Sequence, residues 1–162
     1  MEIREAEPRD LPAIGAIYNH YVLTSTCTYQ TEPSTPAEVE AWLRAHRGGP
    51  HVATVAVDAG AVVGYASLSD FRARAAYRFT VENSVYVRAD LHRRGVGRAL
   101  LCDLIARARA ADLHTIVAGI SAEQEASIAL HRRLGFEPTG ILRAVGRKFD
   151  TWLDLAFLQL VL

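Results

Sequence analysis

Lysine is nearly missing from this 162-residue chain: Lys148 is the one copy, against seventeen arginines. Beside so many alanines this reads as coding bias, so a single arginine carries little functional weight. A dominant charge is missing as well. Eighteen basic residues balance eighteen acidic ones, which removes the broad attraction that a nucleic acid or an anionic membrane surface needs. Cysteine is reduced to Cys27 and Cys102, without CxxC or metal-ligand spacing and too few for a disulfide framework. Free thiols in a reducing compartment are expected. No apolar run approaches a transmembrane span, and the opening MEIREAEPRDL is too charged for a signal peptide. The absences together predict a soluble cytoplasmic domain with no nucleic-acid and no membrane partner.

Several motifs are absent too. There is no GxxxxGK[ST], so a nucleoside-triphosphate loop is excluded, and neither HExxH nor GxSxG occurs. His20, His46, His51 and His114 share no metal-ligand spacing with each other or with either cysteine, and no metal is expected.

What is present is half hydrophobic, enough for a sizeable core in one domain over 1–162. Met1 to Ala6 reads as an edge strand. Asp10 is placed to cap a helix through Leu23, with Leu11, Ile14, Ile17, Tyr18 and Tyr21 as its apolar stripe. Thr35-Pro36-Ala37-Glu38 is the strongest helix start, and Gly48-Gly49-Pro50 stops that helix. His51 to Val57 and Ala61 to Leu68 predict a hairpin across Asp58-Ala59-Gly60. After a central strand and helix come a strand from Thr115 to Ile120, a helix from Ser121 to Gly135, and strands over 140–145 and 152–161. The expected class is α/β with antiparallel hairpins at both ends and a helical crossover in the middle.

The most informative stretch runs from Glu82 to Arg98, ENSVYVRADLHRRGVGR. The alternating strand TVENSVYV leads into Arg93-Arg94-Gly95-Val96-Gly97, and Val96, Leu100, Leu101, Leu104 and Ile105 then keep helical spacing. A strand feeding a Gly-rich turn at a helix start suits phosphate. The first helical N–H groups lack intrahelical acceptors, glycine admits close approach, and the dipole favours negative charge. The third glycine of GxGxxG is missing: Leu100 stands there.

HRRGVG followed by an apolar helix resembles the acyl-CoA pyrophosphate loop of the GNAT superfamily of N-acetyltransferases. ISAEQEASIALHRRLGFEPTG resembles that superfamily's later helix and its LGF turn. Within it, IYNHYVLTSTCTYQTEP, AYRFTVENSVYV and LHRRLGFEPTGILRAVGRKFDTWLDLAFLQ look most like the phosphinothricin and methionine sulfoximine acetyltransferase branch. His92 departs from the Gln or Arg that usually opens the loop, and Gln124 from a common Asn. The resemblance implies the GNAT fold: a mixed, mostly antiparallel central sheet flanked by about four helices. It also implies acetyl-CoA as co-substrate, a small amine as acceptor, transfer in a ternary complex, and a homodimer.

Site residues follow from the same resemblance. Arg93, Arg94, Gly95, Val96, Gly97 and Arg98 would hold the pyrophosphate. Main-chain groups from Val85, Tyr86 and Val87 would take the thioester and pantetheine, joined by Gln124 and Ser127. Alternation puts Glu82, Ser84 and Tyr86 on one face of their strand. Glu82 is the candidate base, through water, or the ligand of the substrate amine. Its ordinary pKa of about 4.3 is low for a base, so burial would have to raise it. In the later helix Gln124, Ser127 and His131 share a stripe, and Ser121-x-x-Gln124 also forms a capping-box pattern. His131 stands where many members have a tyrosine as acid; it would serve as acid or orient the amine, or sit there structurally at a helix C-terminus. Arg72, Arg74 and Tyr77 are the expected substrate-binding stretch, with Tyr29 as a pocket wall. Two alternatives stay open: another acceptor (a polyamine, an aminoglycoside or a protein N-terminus), or a non-catalytic acyl-CoA sensor.

Overall fold

The computed structural model describes residues 1–162. The chain runs through β1 (Glu2–Glu5), α1 (Leu11–Thr24), α2 (Pro36–Ala45), β2 (Val52–Asp58), β3 (Ala61–Asp70), β4 (Thr80–Val87), α3 (Val96–Ala110), β5 (Thr115–Ser121), α4 (Glu125–Arg133), β6 (Glu137–Lys148) and β7 (Thr151–Val161). All seven strands join one sheet in the order β1-β2-β3-β4-β5-β7-β6. Every neighbouring pair is antiparallel except β4 and β5, which the α3 crossover brings together in parallel. No helix is long and apolar enough to cross a membrane.

The helices cover both faces. Ile14, Ile17 and Tyr21 of α1 and Val39 and Leu43 of α2 pack on Ala53, Val55 and Tyr65. On the other face Val96, Leu100, Leu101 and Leu104 of α3 pack on Ala66, Leu68 and Val81, with Ile128 and Leu130 of α4 beside them. Strand β3 therefore faces two cores, Tyr65 on one side and Ala66 and Leu68 on the other.

Local signals predicted several boundaries and missed others. Thr35 and Glu38 form the expected capping box: Glu38 N–H donates to Thr35 Oγ1 (3.3 Å) and Thr35 N–H to Glu38 Oε2 (2.7 Å). Asp10 stands at the start of α1 but does not cap it with its side chain. Its buried carboxylate instead takes two bonds from Arg4 (2.7 and 2.8 Å) and one from Glu7 N–H, which holds it below the ordinary carboxylate range. The Ser121–Gln124 box does not form. Ser121 ends β5, paired with Leu155, and α4 begins only at Glu125 with no side-chain cap. The β6 strand is longer than the 140–145 predicted. It is an exposed edge strand with little alternation to read, interrupted by a bulge near Ala144 (φ 49°). The β7 strand, compatible with either a subunit contact or an interior place, lies inside the sheet.

Candidate active site

The β4–β5 ladder is short. Thr80, Val81 and Glu82 pair with Thr115, Ile116 and Val117, and there the pairing ends although both strands continue. Val87 lies opposite Gly64, yet Arg88 N–H is what reaches Val63 O (2.9 Å). Val87 therefore belongs to a non-hydrogen-bonded pair, and with it Val85 turns its main-chain groups away from β3 into the gap. Tyr86, between them, gives its main chain to β3 and its ring to the opposite core. Of the three residues expected to offer backbone contacts, two face the opening.

The gap leads to the start of α3. Gly95, at φ 85°, turns the chain in the left-handed region and precedes the helix without any side-chain cap. The first helical bond is Ala99 N–H to Gly95 O (3.0 Å), so the N–H groups of Val96, Gly97 and Arg98 have no acceptor in the helix. Arg93, Arg94 and Arg98 surround them on the surface. The loop is anchored at its start. The Tyr21 hydroxyl contacts both Val87 O and His92 Nε2, the latter at 2.6 Å. A carbonyl only accepts, so the phenol donates to Val87 and His92 donates to the phenol. Burial pushes the Tyr21 pKa up to about 12, which keeps that proton in place.

Glu82 projects to the face opposite α3. A Cβ on Gly119 of β5 would come within 2.9 Å of Glu82 Oε1, so the bare glycine leaves the carboxylate its room. Burial raises the Glu82 pKa, against a smaller opposing pull from Arg72. On the same face a cleft of about 410 Å³ opens under α1 and α2. Tyr18, Trp42, Tyr65 and Tyr86 form its aromatic wall, with Tyr65 and Tyr86 stacked at 5.3 Å and Tyr18 edge-on to Tyr86 at the same distance. Ser67, Ser69 and Ser84 supply hydroxyls. Most of these residues escaped the sequence reading. The signal was the period-2 stripe Tyr65, Ser67, Ser69 in an otherwise apolar β3.

His131 does not meet Glu82. It is 3% exposed and lies on the α3 side of the sheet, where its Nε2 accepts from Asn83 Nδ2 (2.9 Å) and its Nδ1–H donates to Ser127 O (2.8 Å). Asn83 and Glu82 are consecutive in β4, so their side chains point to opposite faces. Burial lowers the His131 pKa, which favours the neutral ring. Asn83 Oδ1 is buried without a partner, as is Ser121 Oγ. Gln124 reaches Thr26 Oγ1 at 3.4 Å. Ser127 meets His131 through its carbonyl rather than its hydroxyl.

The expected substrate residues divide. Arg72 is close enough to act on Glu82. Arg74 and Tyr77 stay with it on an exposed loop around a separate shallow depression. Tyr29 is half-buried and donates to Asp154 O (2.9 Å), tying its loop to β7, while the next residue, Gln30, lines the cleft. No three His, Cys, Asp or Glu side chains are grouped to hold a metal ion.

A GNAT acetyltransferase domain model matches residues 3–157. The chain belongs to the GNAT acetyltransferases. It is an acetyl-CoA-dependent N-acetyltransferase. An L-methionine sulfoximine/L-methionine sulfone acetyltransferase of Pseudomonas aeruginosa is 50% identical over 98% of this chain and 92% of its own length. A phosphinothricin acetyltransferase of Sinorhizobium meliloti, solved in complex with acetyl-CoA, superimposes with a TM-score of 0.96 at 41% identity, covering 99% of this chain and 88% of that one. A ribosomal-protein-alanine N-acetyltransferase of Brucella melitensis superimposes at 0.98 with 42% identity, over the full length of both chains.

Acetyl-CoA fits the residues present. Three free N–H groups and three arginines would suit a pyrophosphate, an unpaired strand edge would suit an amide-bearing arm, and the orphaned Asn83 Oδ1 is a buried acceptor beside that edge.

Proposed function

We propose that this enzyme acetylates the amino group of a small amino-acid-like compound such as methionine sulfoximine or phosphinothricin, with the acceptor in the cleft beside Glu82. The observation that carries the reading is the position of Glu82, on the cleft face of β4 at the last rung before β4 and β5 part. Acetyl-CoA supplies an activated acetyl thioester. The Val96, Gly97 and Arg98 N–H groups, with Arg93 and Arg94, bind its pyrophosphate; the Val85 and Val87 main chain binds the arm. Glu82 takes the amine proton through water, its raised pKa making it a better base than an exposed carboxylate. His131 orients Asn83 at the gap; service as an acid would require it to give up the bond to Ser127 or Asn83. Arg72 receives an acidic group of the acceptor. Transfer is direct: burial raises the Cys27 pKa, which keeps it a thiol rather than a nucleophilic thiolate, and Cys102 sits on α3, across the sheet from the cleft.

Relatives with different acceptors make the substrate the point to test. Thiol release from acetyl-CoA is followed with methionine sulfoximine, phosphinothricin, common amino acids, spermidine, an aminoglycoside and an alanine-terminated peptide. Saturable turnover of one or both of the first two is expected, with kcat/KM lowered about 10²–10⁴-fold in Glu82→Gln and acetyl-CoA binding retained. Turnover of the peptide or a polycation alone would overturn the substrate; an active Glu82→Gln would overturn the base.

The chain is further read as a single domain, 1–162, since one sheet uses strands from both ends of the sequence. It is read as a cytoplasmic homodimer. Free cysteines suit a reducing compartment. Edge strand β6, the adjoining turn and the start of β7 leave Ile141, Leu142, Val145, Phe149 and Trp152 about half exposed or more, an apolar edge that a second copy would cover. Light scattering is expected to give twice the 17.8 kDa chain mass, and Trp152→Glu with Val145→Glu to give the monomer; a monomeric wild type refutes the dimer.

A further inference from the structure

A buried histidine of α2 reaches the cleft through a serine. His46, at the C-terminal end of α2, has its Nδ1 2.7 Å from Trp42 O and its Nε2 2.8 Å from Ser69 Oγ. Ser69 lines the cleft. It is also the cross-strand partner of Glu82 in the β3–β4 ladder. Arg88 N–H reaching Val63 O makes the even-numbered β4 residues the hydrogen-bonded positions. Directly opposite residues project to the same face with Cβ atoms about 5 Å apart, so Ser69 and Glu82 rise from neighbouring strands on the cleft face, the carboxylate reaching on toward Gly119 of β5.

The protons of this chain can be assigned from chemistry alone. A carbonyl cannot donate, so Nδ1–H of His46 donates to Trp42 O. In the neutral ring Nε2 then carries a lone pair, and burial without a carboxylate partner lowers the His46 pKa and favours that neutral form. Ser69 has a single proton, and it goes to Nε2. The side of its oxygen left facing the cleft therefore offers lone pairs and no hydrogen.

We propose that His46 polarises Ser69 so that Ser69 and Glu82 together form an acceptor-only seat for the amino group of the substrate, with Ser69 touching the amine and His46 acting as a positioning residue behind it. The inference rests on the cleft as the acceptor site. An ammonium brings three donors, and this seat meets it with a carboxylate and a hydroxyl oxygen that has no proton to oppose it. The N-acetylated product brings only one N–H and no charge, so the same seat holds it weakly and favours its release. A free hydroxyl at Ser69, able to turn its hydrogen toward the cleft, would lose that distinction.

The test is steady-state kinetics with whichever acceptor the enzyme turns over, on wild type, Ser69→Ala, His46→Phe, their double variant and His46→Gln. Ser69→Ala is expected to raise the KM of the amine about tenfold, the loss of one bond to a charged group, with kcat within about threefold. The inhibition constant of the N-acetylated product and the KM of acetyl-CoA stay put. His46→Phe is expected to match Ser69→Ala, and the double variant to add nothing, because both remove one interaction. His46→Gln, whose amide oxygen can still accept from Ser69, is expected to recover most of the affinity, and it stands in if the Phe variant fails to fold. An unchanged amine KM in Ser69→Ala, effects of the single variants that add, or equal loss of amine and product affinity would each overturn the proposal. An active Glu82→Gln would refute the base assignment and leave the Ser69 result to be read on its own.

Discussion

Two histidines, His46 and His131, are built into this molecule in the same way on opposite faces of its sheet. Each sits at the C-terminal end of a helix, donates through Nδ1 to the carbonyl four residues earlier, and accepts through Nε2 from a polar side chain of the sheet. Each is buried, and burial lowers the pKa of both. They differ in where the partner looks. Ser69 of β3 opens on the cleft under α1 and α2, whereas Asn83 of β4 is 6% exposed and sits on the α3 side beside the gap in the sheet. The same local device therefore sets a hydroxyl on the cleft face and an amide beside the open strand edge on the other face, the places proposed above for the acceptor and for acetyl-CoA.

The largest expected difference between them is in stability. His131→Phe keeps an aromatic ring but leaves Asn83 with neither amide end bonded, which costs about 3 kcal/mol. His46→Phe costs about 1 kcal/mol, since Ser69 can turn to water in the cleft. Urea titrations of both variants measure this directly, and equal costs would break the comparison.

A smaller effect lies in the acid limb of the stability curve. An unfolded imidazole titrates near 6.5, and the folded chain holds both rings below that value. The unfolded state therefore binds protons that the folded state refuses. Stability contributed by neutral burial is complete above about pH 6.5 and is lost as pH falls through that value toward the depressed folded pKa, at up to about 1.4 kcal/mol per pH unit for each ring. Urea midpoints at pH 7.5, 6.5 and 5.5 are expected to fall less steeply in either Phe variant than in wild type. An unaltered slope would mean that the ring replaced does not titrate as described.

Glu82, one residue before Asn83, gives the smallest effect and the opposite sign. Its folded pKa is raised, so the folded state holds a proton that the unfolded carboxylate has already released. Stability is lost as pH rises from the ordinary carboxylate pKa through the raised one. Glu82→Gln is expected to increase Tm by a few degrees at pH 7 while removing activity. Calorimetry that finds it unchanged or lowered would place Glu82 in a stabilising interaction instead.

How much of this was legible in the sequence varies with the range of the interaction. TVENSVYV announced both faces of β4, and HRRGVG announced a helix start with free donors, because each signal lies within a few residues. Two S/T-x-x-E/Q patterns looked alike, yet only Thr35–Glu38 became a capping box. At Ser121 the ladder to Leu155 of β7 took the residue into the sheet, a contact from thirty-four positions away. Arg74 and Tyr77 carried a family pattern but remain on an exposed loop. His46 showed no motif at all, since its partner stands twenty-three residues on.

The sequence by itself determined the alternation that separates Glu82 from Asn83, the helical stripe of α3, the left-handed turn at Gly95 and the membership of the family. These are set by steric and hydrogen-bonding rules acting over one or two turns of chain. The tertiary structure alone decided that β4 and β5 part after Glu82, that His131 is held by Asn83 away from the carboxylate, and that His46 stands behind Ser69. Each joins residues far apart in sequence, and only the packing of helices on both faces of the twisted sheet brings them within bonding distance.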